Sequence, residues 1–214
     1  MRDTTTGEIK EFKPSENKGK NIKSAAVTLL RANELIKNNF LEYLETDKVY
    51  SIELTFSVQP KTYDEFNKCV KNFIRKLRRI NKDVKYMIIK ETGQNGGYHA
   101  HAIIAEIELT KEIVQKKWKY GEQIEFKIPR TEEDLLYKAS YLTNITGDSE
   151  SAQCKKENLI NFPARKHMYF ASKNLEPPEF KDGEPGQEIE KIIFETPEKK
   201  RRRLKGGYKT CRVA

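Results

Sequence analysis

Two histidines separated by a single residue, His99 and His101, are the side chains of this sequence best suited to chemistry. The apolar stretch at 98–105 is predicted to be a strand, so both imidazoles project from one face of a sheet. Glu91 directly follows another predicted strand at 84–90, and its carboxylate can approach from that neighbouring strand. Two imidazoles and one carboxylate form an open ligand set for a divalent metal ion. The alternative is one exposed histidine and one that hydrogen-bonds to a backbone carbonyl.

Two tyrosines and a lysine form a second candidate group, on a helix predicted to begin at Thr131. Tyr137 and Tyr141 are four residues apart and share one flank, and Lys138 lies near that flank. A tyrosine can attack a phosphodiester and conserve the bond energy, so that a cut strand can be rejoined. Because the ordinary pKa of tyrosine is about 10, a metal ion or a cation such as Lys138 must favour the phenolate. The sequence thus predicts transesterification of a DNA strand onto tyrosine, leaving a free 3′-hydroxyl.

The charge of the chain favours a polyanionic partner. Among 214 residues, 41 are Lys or Arg and 32 are Asp or Glu, which gives a formal net charge of +9. This excess does not distinguish DNA from RNA or from an anionic membrane surface. Since no apolar segment approaches the length of a membrane span and the N-terminus has no signal-peptide pattern, we expect a cytoplasmic protein.

Basic side chains concentrate in two regions. One is the outer side of a helix predicted at 62–80, where a solvated face is the simpler explanation. The other is 148–180, expected to be irregular, where cations including Lys155 and Lys156 alternate with aromatic rings. Charge and flat rings together suit single-stranded nucleic acid, although any one ring could equally seal the core. The predicted DNA-binding residues are Arg75, Lys76, Arg78, Arg79, Arg165, Lys166 and Lys173.

The remaining patterns give the organisation of the chain. Residues 1–20 are predicted to be a flexible N-terminal arm, 21–180 the folded domain, and 181–214 a linker, a short strand and a basic tail. Within the domain, apolar periodicity indicates helices and strands in alternation. The further helices are predicted at 22–40 and 110–118, and the helix from Thr131 is predicted to end at Gly147. The further strands are predicted at 49–58 and 124–128.

Three blocks, in this order, resemble the HUH-superfamily rolling-circle replication initiators of plasmids and small single-stranded DNA phages. The first is Ser-Ile-Glu-Leu-Thr-Phe-Ser at 51–57, and the second is Gly-Tyr-His-Ala-His-Ala-Ile-Ile at 97–104. The third is Tyr-Lys-Ala-Ser-Tyr-Leu-Thr-Asn at 137–144. With lesser matches the resemblance covers about residues 22–180.

The resemblance implies an α+β fold, a central antiparallel sheet with flanking helices of the ferredoxin/RRM-like kind. It implies a Mn²⁺ or Mg²⁺ ion on His99 and His101, with Glu91 as the best match for the third ligand. It places the nucleophile at Tyr141, with Tyr137 as second candidate. The related pattern usually has Lys at the position of Asn144, so either Lys138 replaces it or the register differs.

The function implied is nicking of a single-stranded origin site through a 5′-phosphotyrosine, followed by rejoining, to start rolling-circle replication. The partners would be origin DNA and host replication proteins, in the cytoplasm of a bacterial host. A relaxase or a transposase of the same superfamily shares this chemistry, and a non-catalytic nucleic-acid-binding protein with structural histidines would explain the charge. A zinc hydrolase needs another tight ligand nearby, and His167 is far along the chain.

Overall fold

The computed structural model describes residues 22–93, 96–122, 124–145, 150–163 and 166–177. The predicted N-terminal arm and C-terminal tail lie outside these residues. The helices are α1 (Ile22–Phe40), α2 (Tyr63–Arg78), α3 (Lys111–Lys117), α4 (Glu132–Thr143) and α5 (Glu150–Asn161), with a 3₁₀ turn at Leu41–Tyr43. The strands are β1 (Val49–Leu54), β2 (Lys85–Thr92), β3 (Tyr98–Ala105), β4 (Ile124–Lys127) and β5 (Tyr169–Ala171). None of these helices is long and apolar enough to cross a membrane.

The five strands form one sheet in the order β4-β1-β3-β2-β5, and every neighbouring pair is antiparallel. The predicted α+β fold with a central antiparallel sheet and flanking helices is therefore confirmed. β3, which carries both histidines, is the central strand. A tight turn joins it to β2, where Gly96 has a φ of +73° that only glycine adopts without cost.

The alternation of side chains gives the sheet two different faces, each covered by helices. The α2 face includes Ile52, Ile88 and Ile104, which pack in one core cluster with α2 and α3. The α4 face includes Met87 and Ile103, which pack in a second cluster with α1 and α4. Because side chains alternate along β3, His99 and His101 share the α4 face with Ile103.

Local sequence explains where the helices begin. The side chain of Thr62 accepts a hydrogen bond from the backbone N–H of Glu65 at the start of α2. At the start of α4, Thr131 and Asp134 form a reciprocal capping box. Between them these caps fix the first turns of the helices that cover the two faces.

Several predicted boundaries were wrong. β1 ends at Leu54 rather than at 58, because the chain beyond it turns to α3, where the Trp118 indole donates to the Thr55 carbonyl. α4 ends at Thr143 rather than at Gly147, which lies outside the described residues. The stretch 148–180 was expected to be irregular, yet it contains α5 and β5.

Candidate active site

The two imidazoles lie side by side on β3, near the middle of the sheet. Their ring centroids are 5.2 Å apart and their planes are almost perpendicular. In the strand register Glu91 of β2 is opposite His99, and Glu53 of β1 is opposite His101. Since directly opposed residues project from the same face, one carboxylate approaches the histidine pair from each neighbouring strand.

Glu91 lies close to both imidazoles, as the sequence predicted. Its Oε2 atom is 3.4 Å from Nε2 of His99 and 3.8 Å from Nε2 of His101. Ligand atoms about 2.1 Å from one ion in octahedral geometry lie about 3 Å apart, so a small contraction would bring these three atoms onto a single cation. Glu91 thus remains a candidate ligand.

Glu53 is an acidic neighbour that the sequence analysis did not propose as a ligand. Glu53, His99 and His101 each offer a ligand atom, and these atoms lie within 4.8 Å of one another, so the group could hold a metal ion. Oε2 of Glu53 is 3.7 Å from Nδ1 of His101, a buried nitrogen that has no hydrogen-bond partner among the described residues. An unpartnered buried nitrogen between two carboxylates fits a site that takes up a cation. The usable signal was the alternation along β1, which places Glu53 on its polar face.

The electrostatics of the group favour metal ligation near neutral pH. Burial, opposed by Glu91 and reinforced by the nearby positive groups, lowers the pKa of His101 to about 3, so its imidazole is neutral. Burial alone would raise the pKa of Glu91, but the hydrogen bond from His99 and the charge of Lys155 lower it to about 2. A neutral imidazole and an ionised carboxylate are the protonation states that a metal ion requires.

Lys155 of α5 connects this group to the tyrosine helix. Its Nζ atom donates to Oε1 of Glu91 at 2.5 Å and lies 5.1 Å from the ring centroid of Tyr141. The sequence analysis placed Lys155 among the cations of a single-strand-binding region and missed its role here. The missed signal was the helical spacing of Ala152, Lys155 and Leu159, all three of which are buried.

α4 presents both candidate tyrosines on its outer side, whereas Leu135, Ala139 and Leu142 are buried in the core, as predicted. Tyr137 is 72% exposed and Tyr141 is 42% exposed. Burial, together with the negative charges of Glu91 and Glu53, raises the pKa of Tyr141.

Lys138 is half-buried, and its Nζ atom lies 5.2 Å from the ring centroid of Tyr141. The structure thus places two cations against Tyr141, one from its own helix and one from α5.

Residues 50–146 match a family model described as Replication-associated protein, of the ORF2 type. The match extends from β1 to just beyond α4, somewhat under half of the chain. It contains both histidines, both carboxylates and both tyrosines, whereas Lys155 lies beyond it. The family's name supports a role in DNA replication.

Other comparisons add little to this match. No curated protein matches the chain. Among solved structures, the chain is similar to the crystal structure of the hypothetical protein ORF119 from Sulfolobus islandicus rod-shaped virus 1. The sequence identity is 18% and the TM-score is 0.41, and the similarity covers 57% of this chain and 97% of that one.

The predicted DNA-binding residues do not gather around the site. Arg75, Lys76, Arg78 and Arg79 belong to α2 or its C-terminal end, on the opposite side of the sheet from the histidines. Lys166 forms an ion pair with Asp64, also of α2, at 2.8 Å. Lys173 is exposed just after β5, and Arg165 lies outside the described residues. The structure therefore separates the main basic helix from the metal-binding group.

Proposed function

We propose that this protein is a replication initiator that nicks a specific single-stranded DNA site and rejoins it. The nucleophile is the phenol of Tyr141, and His99, His101 and Glu91 hold a Mn²⁺ or Mg²⁺ ion. The observation that carries the proposal is the position of Lys155, which contacts Glu91 and lies against the ring of Tyr141. This one side chain links the metal-binding group to the proposed nucleophile.

In the cutting step, the Tyr141 oxygen attacks the scissile phosphorus as the bond from phosphorus to the 3′ oxygen breaks. The phenol loses its proton and the departing 3′ oxygen gains one, which leaves a free 3′-hydroxyl and a 5′-phosphate bonded to tyrosine. The bound metal ion would polarise a phosphate oxygen and offset the charge that develops on it. Rejoining is the same step in reverse, with the 3′-hydroxyl as nucleophile.

The residues of the chain have separate tasks in this reaction. Neutral His101 and ionised Glu91 are already in the protonation states that ligation needs, so assembly of the site requires no proton release from them at pH 7. Lys155 and Lys138 offset the negative charge on the phenolate as it forms, which opposes the upward effect of burial on the pKa of Tyr141.

A denaturing gel tests the proposal directly. The full chain is incubated with Mn²⁺ and a pool of single-stranded oligonucleotides of random sequence, each labelled at its 3′ end. Because the fragment downstream of the cut stays on the tyrosine, label should migrate with the protein. Tyr141→Phe should reduce the labelled protein by about a thousandfold or more, since the nucleophile is lost.

Tyr137→Phe is the matched control, since it removes the same hydroxyl one helical turn away on the same helix. It should retain most of the adduct. If Tyr137→Phe abolishes the adduct and Tyr141→Phe does not, the nucleophile has been assigned to the wrong tyrosine. If the unmodified protein yields no labelled band with any oligonucleotide, the nicking function is wrong.

A further inference from the structure

The side of the protein opposite the histidines carries a continuous basic surface formed by α2 and the C-terminal end of α3. The inner side of α2 packs in the core cluster of the α2 face, so its outer side points away from the metal-binding group. We call this the α2–α3 surface. Its cations are Lys68, Lys71, Arg75, Lys76, Arg78, Arg79, Lys116, Lys117 and Lys119.

The two helices meet at Lys76. Its Nζ atom donates to the backbone carbonyl of Lys117 at 2.7 Å, which brings the cations at the end of α3 beside those of α2. Burial and the nearby charges of Lys119, Lys117 and Arg79 lower the pKa of Lys76. The positive groups are therefore close enough to repel one another.

The chain does not neutralise this charge. The last acidic residue of α2 is Glu65, in its first turn, and the only acidic residue of α3 is Glu112, at the far end. Among the described residues, none of the nine cations lies within ion-pair distance of a carboxylate, whereas Lys85, Lys155 and Lys166 do. A partner that supplies several negative charges would relieve this repulsion.

The surface lacks the rings that a single strand needs. Tyr120, the aromatic residue nearest Lys76, is half-buried, with its ring packed on Trp118 and its hydroxyl bonded to Asn72. The exposed aromatic residues of the described chain, Tyr137 and Tyr141, lie on α4 across the sheet. Cations without stacking rings suit the backbone of a duplex, whose bases are already stacked on one another.

The spacing also suits a duplex backbone. From Lys68 to Arg79 the cations recur along one side of α2 over about 16 Å, at 1.5 Å per residue. Phosphates of one strand of B-DNA recur about every 3.4 Å along the helix axis, so this length faces about five of them. We propose that the α2–α3 surface binds the backbone of double-stranded DNA without reading its sequence, while the α4 face takes the single strand.

Salt-dependent binding tests this surface. A labelled 20-base-pair duplex of arbitrary sequence is titrated with the full chain in EDTA, by fluorescence anisotropy, at several salt concentrations. The triple variant Arg75→Gln, Arg78→Gln, Arg79→Gln should bind at least about tenfold more weakly at 100 mM salt. Its slope of log K against log salt should fall by about 2 to 3, since each lost phosphate contact removes about 0.9.

A second triple variant, Arg31→Gln, Lys48→Gln, Arg130→Gln, removes the same charge from exposed positions elsewhere and should weaken binding less than threefold. The basic run at 199–203 contributes equally to all three proteins. The α2 variant should still bind a 20-nucleotide single strand as the unmodified protein does.

Equal losses in both triple variants would show a general charge effect and would overturn the proposal. So would equal loss of duplex and single-strand binding in the α2 variant, because the surface would then guide the single strand. Since binding is measured without metal, the result stands whether or not the tyrosine adduct forms.

Discussion

The two faces of the sheet treat buried charge in opposite ways, and two adjacent residues of β2 show it. Glu91 projects onto the α4 face, where Lys155 and both imidazoles surround its carboxylate. Lys90 projects onto the α2 face, where its Nζ atom contacts the hydroxyl of Tyr63 and lies 3.9 Å from the ring centroid of Phe170. Among the described residues no carboxylate lies within ion-pair distance of Lys90.

This difference separates chemistry from binding. On the α4 face, charged and ligating groups converge on one point that still reaches solvent, since Glu53 and His99 are partly exposed. On the α2 face the interior is apolar and aromatic, and most cations lie on the outer side of the helices. We therefore expect substitutions on the α4 face to change metal binding and cutting, and substitutions on the α2 face to change stability or duplex binding.

The largest effect should come from the histidine pair. His99→Ala or His101→Ala should weaken Mn²⁺ binding by at least about 100-fold, because even loss of a group that only orients a ligand costs about 10- to 100-fold. Isothermal titration calorimetry measures this directly. His167→Ala, the remaining histidine and an exposed one, should leave the affinity unchanged. Unchanged affinity in both alanine variants would mean that the imidazoles are structural.

The same titration distinguishes the two carboxylates. If Glu91 is the ligand, Glu91→Gln should weaken Mn²⁺ binding more than Glu53→Gln, since Oε2 of Glu91 lies near Nε2 of both histidines. The reverse order would assign the metal to Glu53, His99 and His101, the group that the 4.8 Å spacing identifies.

Local pattern was enough to find the residues whose signal lies within one element. The His-x-His pair, the Thr131 cap and the exposed tyrosine flank each depend on neighbours within about ten residues, so alternation and helical spacing reveal them. Glu53 and Lys155 could not be found this way. Glu53 joins the site through the β1–β3 register, and Lys155 through the packing of α5, and neither contact is encoded locally.

A smaller loss, in rate rather than in metal affinity, should follow removal of the cation that contacts Glu91. Lys155→Met should slow adduct formation by about 10- to 100-fold at saturating Mn²⁺, because the phenolate loses a neighbouring positive charge and Glu91 loses its partner. Quenched time courses on the denaturing gel measure the rate. Lys155→Arg, which keeps the charge, should recover part of it.

Lys138→Met is the companion variant, since Lys138 was the cation that the sequence predicted and its Nζ atom is equally near the Tyr141 ring. It should have the smaller effect, because Lys138 contacts neither Glu91 nor either histidine among the ion pairs of the described residues. A larger loss with Lys138→Met would restore the sequence-based assignment and leave Lys155 as a structural residue.

The smallest effect should appear on the α2 face, as a change in stability with pH. Burial, with the nearby charge of Lys71, lowers the pKa of Lys90 to about 7 from an ordinary value near 10.4. Between these values the unfolded chain binds a proton at this lysine that the folded chain does not. The free energy of unfolding should therefore rise with pH from about 7 to 10, by at most about 1.4 kcal/mol per unit, and be insensitive to this group below pH 7.

Lys90→Met should remove that rise and stabilise the protein at pH 7 by about 1 kcal/mol or more, because an apolar side chain of similar length replaces a buried amine. Urea denaturation at pH 6, 7, 8 and 9 measures both effects, and Lys71→Met, an exposed cation of α2, is the control. Mn²⁺ affinity should not change in either variant, since both side chains lie across the sheet from the histidines. A Lys90→Met protein that is less stable at every pH, or that binds Mn²⁺ more weakly, would show that the two faces are coupled through β2 and would remove the contrast between them.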